Sequence, residues 1–265
     1  MNILLSLNYK FFNTKPEELL KYINNIDNDK IIKGFEVNAE TSKEREYLYD
    51  LAKECNKYNY MLNIHLPCLN SIEEYKEYLD YLNEITKVYK NEMNMVFHPI
   101  YNKEKKQSIE VTSNYINDLL KYIEVNNYNL RLSIENLNDI GEIKRLKKED
   151  IKEILIKYDK LNFTYDIGHE YIDGRGTIKK QIDSYLISKM NNIHIHTFNK
   201  TEDHYPIEDI SKDKIVIEML NNISQKGYKG QVVLEYALDY IEGENLNKKL
   251  EKYIKEAKNI SYYIN

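Results

Sequence analysis

The feature that most constrains this chain is the alternation of two hydrophobic patterns along its length. Eight short runs rich in Val, Ile, Leu and Tyr alternate with longer runs in which an apolar residue recurs every three or four positions between charged residues. The short runs are typical of buried strands, and the long runs are typical of amphipathic helices. Strands that alternate with helices pair in parallel through helical crossovers, so the pattern predicts an α/β fold.

Eight such units in 265 residues agree with a (β/α)8 barrel, for which about 250 residues are typical. An open, doubly wound sheet is the competing fold. Its first turn normally carries glycines that bind a nucleotide, and the first turn here, Asn8–Phe12, has none. We therefore expect a TIM barrel that forms one domain over residues 1–265. The predicted strands are Ile3–Leu7, Gly34–Val37, Met61–His65, Met93–His98, Leu130–Glu135, Leu161–Asp166, Asn192–His196 and Gln231–Glu235.

The amphipathic runs predict one helix after each strand. Thr14 and Pro16 mark the start of the first helix, because proline fits the first helical turn. The fifth helix is expected to be broken near Lys148. The predicted ranges are Pro16–Ile26, Ser42–Tyr58, Ser71–Lys90, Glu104–Val125, Asp139–Tyr158, Ile178–Lys189, Asp213–Lys226 and Asn245–Ala257.

Composition and charge narrow the class of protein. Hydrophobic residues make up 42% of the chain and charged residues 31%, which excludes wholesale disorder. The formal net charge of -5 weighs against a nucleic-acid partner but leaves one open, because a basic patch can lie on an acidic protein. The absence of a long apolar run predicts no membrane span, and two cysteines are no disulfide framework. We expect a cytoplasmic protein and leave a homo-oligomer open.

Every histidine of the chain lies at the end of a predicted strand or in the loop that follows one. Active sites of TIM barrels are built at the C-terminal ends of the strands. A single histidine there would be interpreted as a strand cap or a satisfied core residue. Six of them at one end predict a functional site. They are His65, His98, His169, His194, His196 and His204.

Three acidic residues, Glu135, Asp166 and Glu235, occupy matching positions at the ends of predicted strands 5, 6 and 8. A carboxylate at the end of a buried apolar strand is costly unless it is paired or bound to a metal. Three of them facing one barrel mouth would repel one another, and a divalent cation would remove that penalty. Neutral imidazoles beside carboxylates suit Zn²⁺ or Mn²⁺. Alternation along strand 7 allows both His194 and His196 to face the same mouth.

Short motifs follow one another at the ends of strands 3 to 8: HLP, FHP, IEN, DIGH, HIH, DH and LE. In their order and spacing they resemble the xylose isomerase-like TIM barrel superfamily, over most of the chain from Ile3 to Glu235. That superfamily holds sugar and sugar-phosphate isomerases and epimerases, and also abasic-site nucleases of the endonuclease IV type. The resemblance implies the fold and leaves two chemistries open.

The isomerase branch implies one metal ion held by Glu135, Asp166, His194 and Glu235. His169 then contacts the oxygens of a small sugar or sugar-derived substrate. Glu135 and Glu235, on opposite sides of the mouth, serve as the base and the acid that move a proton. This metal-dependent isomerase or epimerase is our first hypothesis. A closed, purely structural metal site is less favoured, because such sites prefer cysteine ligands.

The endonuclease IV branch implies three zinc ions and hydrolysis of a phosphodiester in abasic DNA, which is the alternative hypothesis. Its ligand sets are His65, His98 and Glu135; Glu135, Asp166, His194 and Glu235; and His169, Glu202 and His204. That branch has Asp-x-His where this chain has Glu202-Asp203-His204, and its loop patterns after strands 3 and 5 are absent here. A barrel that binds metal or sugar without catalysing a reaction is a third hypothesis. We expect one to three divalent ions.

Further substrate contacts are expected around the same mouth. Glu36 ends strand 2 and is either a substrate contact or a solvated residue of the rim. His196 is expected to contact the substrate. Arg175, between two glycines, is suited to hold a phosphate or carboxylate through two parallel N–H···O hydrogen bonds. Lys200 follows strand 7 and is a further cationic candidate.

Overall fold

The computed structural model describes residues 1–39, 44–173, 182–199, 202–207 and 213–264. Its main feature is a closed barrel of eight parallel strands, as expected for a (β/α)8 TIM barrel. The barrel strands are β1 (Asn2–Leu7), β2 (Ile32–Asn38), β3 (Met61–His65), β4 (Met93–Phe97), β5 (Leu130–Glu135), β6 (Asn162–Asp166), β7 (Met190–Ile195) and β10 (Gln231–Leu234). Two short strands, β8 (Thr197–Asn199) and β9 (Glu202–Tyr205), form an antiparallel hairpin between β7 and β10. The order around the barrel is β1-β10-β7-β6-β5-β4-β3-β2.

Helices follow the strands and cover the outside of the barrel. They begin where capping groups permit: Pro16 opens the first α-helix, and the Ser71 hydroxyl accepts a hydrogen bond from the Glu74 amide at 3.2 Å. A 3₁₀ helix spans Tyr9–Asn13. The α-helices are α1 (Pro16–Ile26), α2 (Glu44–Tyr58), α3 (Ile72–Tyr89), α4 (Lys105–Val125), α5 (Lys148–Lys157), α6 (Ile167–Asp173), α7 (Ser184–Lys189), α8 (Lys214–Gln225) and α9 (Leu246–Ile264).

The prediction of a helix from Asp139 to Tyr158 is wrong in its first half. Residues 136–147 form a loop, and the helix begins at Lys148. Gly141 adopts a φ of +57°, in the left-handed region, while Ile140 and Ile143 exchange two backbone hydrogen bonds across it. The Asp139 carboxylate accepts a hydrogen bond from the backbone of Arg145. These local turns satisfy the backbone that the helix would otherwise have used.

The two faces of the barrel strands carry different chemistry. Each strand contributes a fully buried, large apolar residue to one layer: Leu5, Phe35, Ile64, Phe97, Ile134, Tyr165, Ile193 and Leu234. Burying each such side chain stabilises the fold by roughly 1.5–3 kcal/mol. This apolar layer fixes the cylinder on which the site is built.

The inside of the barrel is polar below its C-terminal end. Asn63 donates to Gln231 at 2.5 Å, and Asn191 donates to Asn94 at 2.6 Å. These pairs join strands that are not neighbours in the sheet, so the contacts pass through the barrel interior. We call the set of Asn63, Asn94, Asn191, Asn192 and Gln231 the amide layer. In most TIM barrels this space is filled by branched apolar residues.

Among the described residues, no helix has the length and apolar character needed to cross a membrane.

Candidate metal centre

Four residues from four strands converge at the C-terminal mouth of the barrel. They are Glu135 at the end of β5, Asp166 at the end of β6, His194 on β7 and Glu235 just after β10. Each offers one ligand atom, and these atoms all lie within 4.8 Å of one another. The side chains of all four are almost completely buried. We call these four residues the central cluster.

The strands bring these groups together through their register. Asp166 pairs with His194 between neighbouring strands β6 and β7. Asn136, which follows Glu135 directly, donates its amide to the Asp166 carbonyl at 2.9 Å and accepts from the Asp166 N–H at 2.9 Å. This side chain therefore continues the pairing of β5 and β6 beyond the last residue of β5. Sequence reasoning missed Asn136, although its place directly after the strand-5 acid was a usable signal.

The donor atoms of the central cluster fit a divalent ion. Glu135 Oε1, His194 Nδ1 and Glu235 Oε2 are buried and have no hydrogen-bond partner among the described residues. His194 Nδ1 nevertheless lies 2.9 Å from Glu235 Oε2 and 3.4 Å from Glu135 Oε1. Buried polar atoms left unpaired are costly, and here they face one another. One imidazole and three carboxylates form a ligand set that Zn²⁺ and Mn²⁺ accept.

In the absence of an ion, protonated imidazoles balance the buried carboxylates. Burial opposes a charge on His194, but the carboxylates of Glu36 and Glu235 outweigh it and raise the pKa of His194 well above its ordinary value. Burial also opposes ionisation of Glu135, yet His194 and His169 hold the pKa of Glu135 well below its ordinary value. A metal ion in the cluster would take over this balancing charge, and protons would leave as it binds.

A pair of histidines contacts the other oxygen of Glu135. The Nε2 atoms of His65 and His98 lie 3.1 Å and 3.3 Å from Glu135 Oε2. His65 is buried, whereas His98 is partly exposed. Cys68 lies behind them, with its sulfur 3.8 Å from His98 Nδ1. Both histidines therefore lie beside the strand-5 glutamate, and their role as metal ligands stays a prediction.

Three further histidines, His169, His196 and His204, form a second group within 4.8 Å, which we call the imidazole cluster. The rings of His196 and His204 stack at a centroid distance of 4.5 Å. His196 Nε2 lies 3.1 Å from Asp166 Oδ2, so this group adjoins the central cluster. Sequence reasoning expected His196 to contact the substrate. It is 1% exposed, and its ring faces Asp166 and the backbone of His204.

Two local features place the imidazole cluster. The helix α6 starts immediately after β6 and turns His169 back, so that His169 Nδ1 lies 3.3 Å from Glu135 Oε1. A side chain at Gly168 would collide with the ring of His196, because a Cβ there would lie 2.4 Å from it. The hairpin β8–β9 carries His204, whose φ of +57° is uncommon for a residue other than glycine. Neither α6 nor the hairpin was predicted from the sequence.

The pKa values of His169 and His204 are shifted upward. Burial lowers the pKa of His169, but Asp166 and Glu135 outweigh it and raise it to about 9. Burial likewise opposes the charge on His204, and Glu235 and Asp203 raise its pKa well above the ordinary value. In the metal-free protein these carboxylates favour the protonated rings, which can donate hydrogen bonds to an anionic or polar oxygen.

Glu36 does not lie on the solvated rim. Its side chain is 1% exposed, and Oε1 lies 2.8 Å from His194 Nε2. Its other oxygen accepts a hydrogen bond from Asn192 at 2.8 Å. The expectation of a solvated rim residue is wrong, because β2 extends to Asn38 and leaves Glu36 inside the barrel.

Other predicted contacts fall outside the described residues. These are Arg175 and Lys200, together with the side chain of Glu202. A cavity of about 250 Å³ opens beside His98 and is lined in part by Tyr101, Lys144 and Arg145. It gives a small molecule a space next to the histidine pair.

Comparisons with solved structures find proteins with the same barrel architecture. A D-tagatose 3-epimerase-like protein superposes with a TM-score of 0.67 at 18% identity, covering 100% of this chain and 97% of the other. A D-psicose 3-epimerase from Clostridium cellulolyticum H10 superposes with a TM-score of 0.66 at 14% identity, covering 98% of this chain and 99% of the other. A xylose isomerase domain protein from Planctomyces limnophilus superposes with a TM-score of 0.63 at 9% identity, covering 98% of this chain and 95% of the other. The chain shares the (β/α)8 TIM barrel fold of these proteins.

A scan against protein-family models and a search of curated proteins find no match. The likeness of this barrel to its neighbours therefore rests on the fold alone, and the expected (β/α)8 fold is confirmed. The expected resemblance extends to the fold of a xylose isomerase domain protein.

Proposed function

We propose that this protein is a metal-dependent isomerase or epimerase of a small sugar or sugar-derived substrate. The observation that carries the proposal is the central cluster, in which Glu135 and Glu235 flank His194 from different strands. The neighbours in fold include a D-tagatose 3-epimerase-like protein and a D-psicose 3-epimerase, which supports a sugar as substrate. We propose that Glu135, Asp166, His194 and Glu235 hold one divalent ion.

A bound divalent ion supplies Lewis acidity, which polarises a carbonyl and acidifies the neighbouring C–H bond. The ionised carboxylate of Glu135 removes that proton, and the electron pair of the C–H bond moves toward the carbonyl oxygen to give an enediolate. Glu235 takes up a proton from water and delivers it to the opposite face of the same carbon. Glu135 then returns its proton to water, so that both carboxylates are again ionised. The result is inversion at one carbon with no net change in atoms.

His169 positions the substrate in this scheme. Its ring is buried beside Glu135 and Asp166, and a ring N–H there donates to a substrate hydroxyl or carbonyl oxygen. The burial of the central cluster keeps bulk water away from the carbon acid. One divalent ion with three carboxylates carries a net charge of -1, which suits a neutral polyol better than a phosphodiester.

The test is an epimerisation assay on the metal-loaded protein. D-Tagatose, D-psicose and D-fructose serve as substrates, and products are separated by chromatography. Reactions in D₂O are expected to place deuterium at the inverted carbon, because the proton is exchanged through a carboxyl group. The control is the Glu142→Gln variant, which alters an exposed glutamate in the loop after β5. Absence of turnover and of deuterium incorporation on a broad set of ketoses would contradict the proposal.

A second candidate function is metal-dependent hydrolysis of a phosphodiester, with an abasic nucleic acid as the substrate class. One observation favours it specifically: histidines surround the central cluster on both sides, with His65 and His98 on Glu135 and the imidazole cluster next to Asp166. A mononuclear site needs none of them as ligands. Several metals would raise the net charge and could activate water and clamp the scissile phosphate.

Metal stoichiometry separates the two functions. Protein purified without chelator is analysed by plasma mass spectrometry, and is assayed in parallel on an abasic-site oligonucleotide. The isomerase predicts about one equivalent per chain and no cleavage. Two or three zinc equivalents together with cleavage would replace the first proposal by the second.

A further inference from the structure

We infer that Glu36 is a positioning residue, which holds His194 with a proton on Nε2 and directs Nδ1 toward the bound ion. The inference rests on the proposed metal centre and adds a residue to it. Glu36 lies on β2, on the far side of the His194 ring from the other carboxylates. Its Oε1 is 2.8 Å from Nε2, whereas Nδ1 faces Glu235 at 2.9 Å.

The chemistry of metal binding requires one particular form of this imidazole. A histidine ligand is neutral, and the nitrogen that faces the ion has no proton. Since Nδ1 faces the central cluster, the proton of metal-bound His194 must lie on Nε2. A carboxylate 2.8 Å away is an acceptor for that proton. Carboxylates in this position orient metal-binding histidines and increase their basicity.

The opposite tautomer of His194, with its proton on Nδ1, also has a hydrogen-bond partner for Nε2. Glu36 therefore decides which of the two tautomers is favoured. Asn192 Nδ2 lies 3.1 Å from His194 Nε2 and would donate to it if that nitrogen had no proton. That tautomer would direct an N–H from Nδ1 at the ion and leave Glu36 Oε1 without a donor. Asn192 also donates to Glu36 Oε2 at 2.8 Å. This bond holds the carboxylate in place and leaves Oε1 for His194.

A substrate contact does not explain the position of Glu36. The side chain is 1% exposed, and its Oε2 accepts hydrogen bonds from Asn192 and Asn63. Its Oε1 forms no hydrogen bond among the described residues and lies 2.8 Å from His194 Nε2. A purely structural role does not explain it either. A buried glutamine could serve the two amides without the cost of burying a charge. A carboxylate is required where an imidazole N–H must be held against a competing tautomer.

The test measures zinc affinity of the full chain after removal of metal, by competition with a chromophoric chelator. We expect Glu36→Leu to bind zinc 10- to 100-fold more weakly than the wild type, the range typical for loss of such a partner. Glu36→Gln keeps the size of the side chain and is expected to lose about tenfold. The matched control is Thr164→Val. Thr164 lies two residues before Asp166 on the same inner face, and its buried hydroxyl hydrogen-bonds to Ser133 and to no proposed metal ligand. This variant should bind zinc within twofold of the wild type.

A second measurement reports the tautomer directly. Long-range ¹H–¹⁵N spectra of the zinc-loaded protein should show His194 with a protonated Nε2, assigned by comparison with His194→Gln. In Glu36→Leu this signal should change to the other tautomer or to a mixture. If Glu36→Leu does not fold, the affinity and spectrum of Glu36→Gln decide the matter.

The possible outcomes are distinct. Zinc affinity within twofold of the wild type in both Glu36 variants, or a proton on Nδ1 in the wild type, would overturn the inference and leave the metal centre standing. Failure of the wild-type protein to bind zinc or manganese at all would overturn the metal centre itself, and the role of Glu36 with it.

Discussion

The two mouths of the barrel are built from side chains of different charge. At the C-terminal mouth, carboxylates and imidazoles converge within a few ångströms of one another. A cavity of about 820 Å³ lies at the N-terminal mouth and is larger than the cavity beside His98. Its wall includes the amide side chains of Asn63, Asn94 and Asn191. Amides satisfy one another in pairs, whereas carboxylates facing each other require a cation. The size of a cavity therefore does not locate the chemistry, but the balance of charge does.

The largest expected effect comes from a single oxygen-to-nitrogen change at the C-terminal mouth. Glu135→Gln should lower kcat/KM by about 10³-fold, because both the proposed base and a ligand are lost. Steady-state kinetics on the metal-loaded variant measure it, with Glu142→Gln as the exposed control. Full activity in Glu135→Gln would remove this residue from the mechanism.

Removal of the metal ion from the C-terminal mouth should lower the stability of the protein. At a metal concentration 1,000 times its Kd, binding adds about 4 kcal/mol to the free energy of unfolding. For a chain of this size, that raises Tm by roughly 8–16 °C. Calorimetry of chelated and reloaded protein checks the prediction. Equal melting temperatures with zinc, manganese and chelator would show that the mouth holds no ion.

Replacing His204 sharpens the comparison within the C-terminal mouth. It belongs to the imidazole cluster, and its Nε2 lies 3.5 Å from Glu235 Oε1. For a mononuclear isomerase, His204→Ala should reduce kcat/KM by about tenfold, the lower end of the loss for a residue that supports a ligand. Kinetics and metal content are measured together. Loss of a whole metal equivalent, along with complete inactivation, would favour the multinuclear hydrolase.

The metal-free protein should lose stability as the pH rises. The folded-state pKa of His169 is raised from 6.5 to about 9. Its contribution is fully present below pH 6.5 and is lost as the pH rises through 9, because the folded state then releases the extra proton. Thermal unfolding of chelated protein between pH 6 and pH 10 measures this decline. His169→Gln should flatten it, and an unchanged slope in that variant would assign the decline to another group.

The smallest effect on metal binding is expected at the N-terminal mouth. Asn94→Leu leaves the Asn191 amide without its acceptor, which should cost about 1–3 kcal/mol of unfolding free energy. Zinc affinity should stay within twofold of the wild type, since Asn94 contacts no carboxylate or histidine of the central cluster. A much larger loss of affinity would mean that the two mouths are coupled, and that the contrast between them is too simple.

The fold was predictable because its signals are local and repeated. Alternating strand and helix patterns specify parallel pairing, and eight units in this length agree with closure. The failures occurred where local chemistry competes with periodicity. Residues 139–147 have helical spacing, yet Gly141 and the Asp139 carboxylate favour turns. The short helix α6 and the hairpin β8–β9 are too brief to show a period at all.

The candidate site was predictable in part. Residues at strand ends, such as Glu135 and His194, follow from the rule that parallel strands end at one mouth. The residues that contact these strand-end groups from inside the barrel could not be predicted, because their roles depend on distances across the barrel. Glu36 was predicted to be either a substrate contact or a solvated rim residue, and Asn136 and Asn192 were not considered.

The sequence by itself determined which residues end the strands, and thereby which acids and imidazoles share a mouth. Only the tertiary structure decided which oxygen faces which nitrogen, because those contacts cross between strands far apart in the chain. The pairing of Glu36 with His194 is of this kind: strand alternation allows both side chains to point inward, but only closure of the barrel brings them to 2.8 Å.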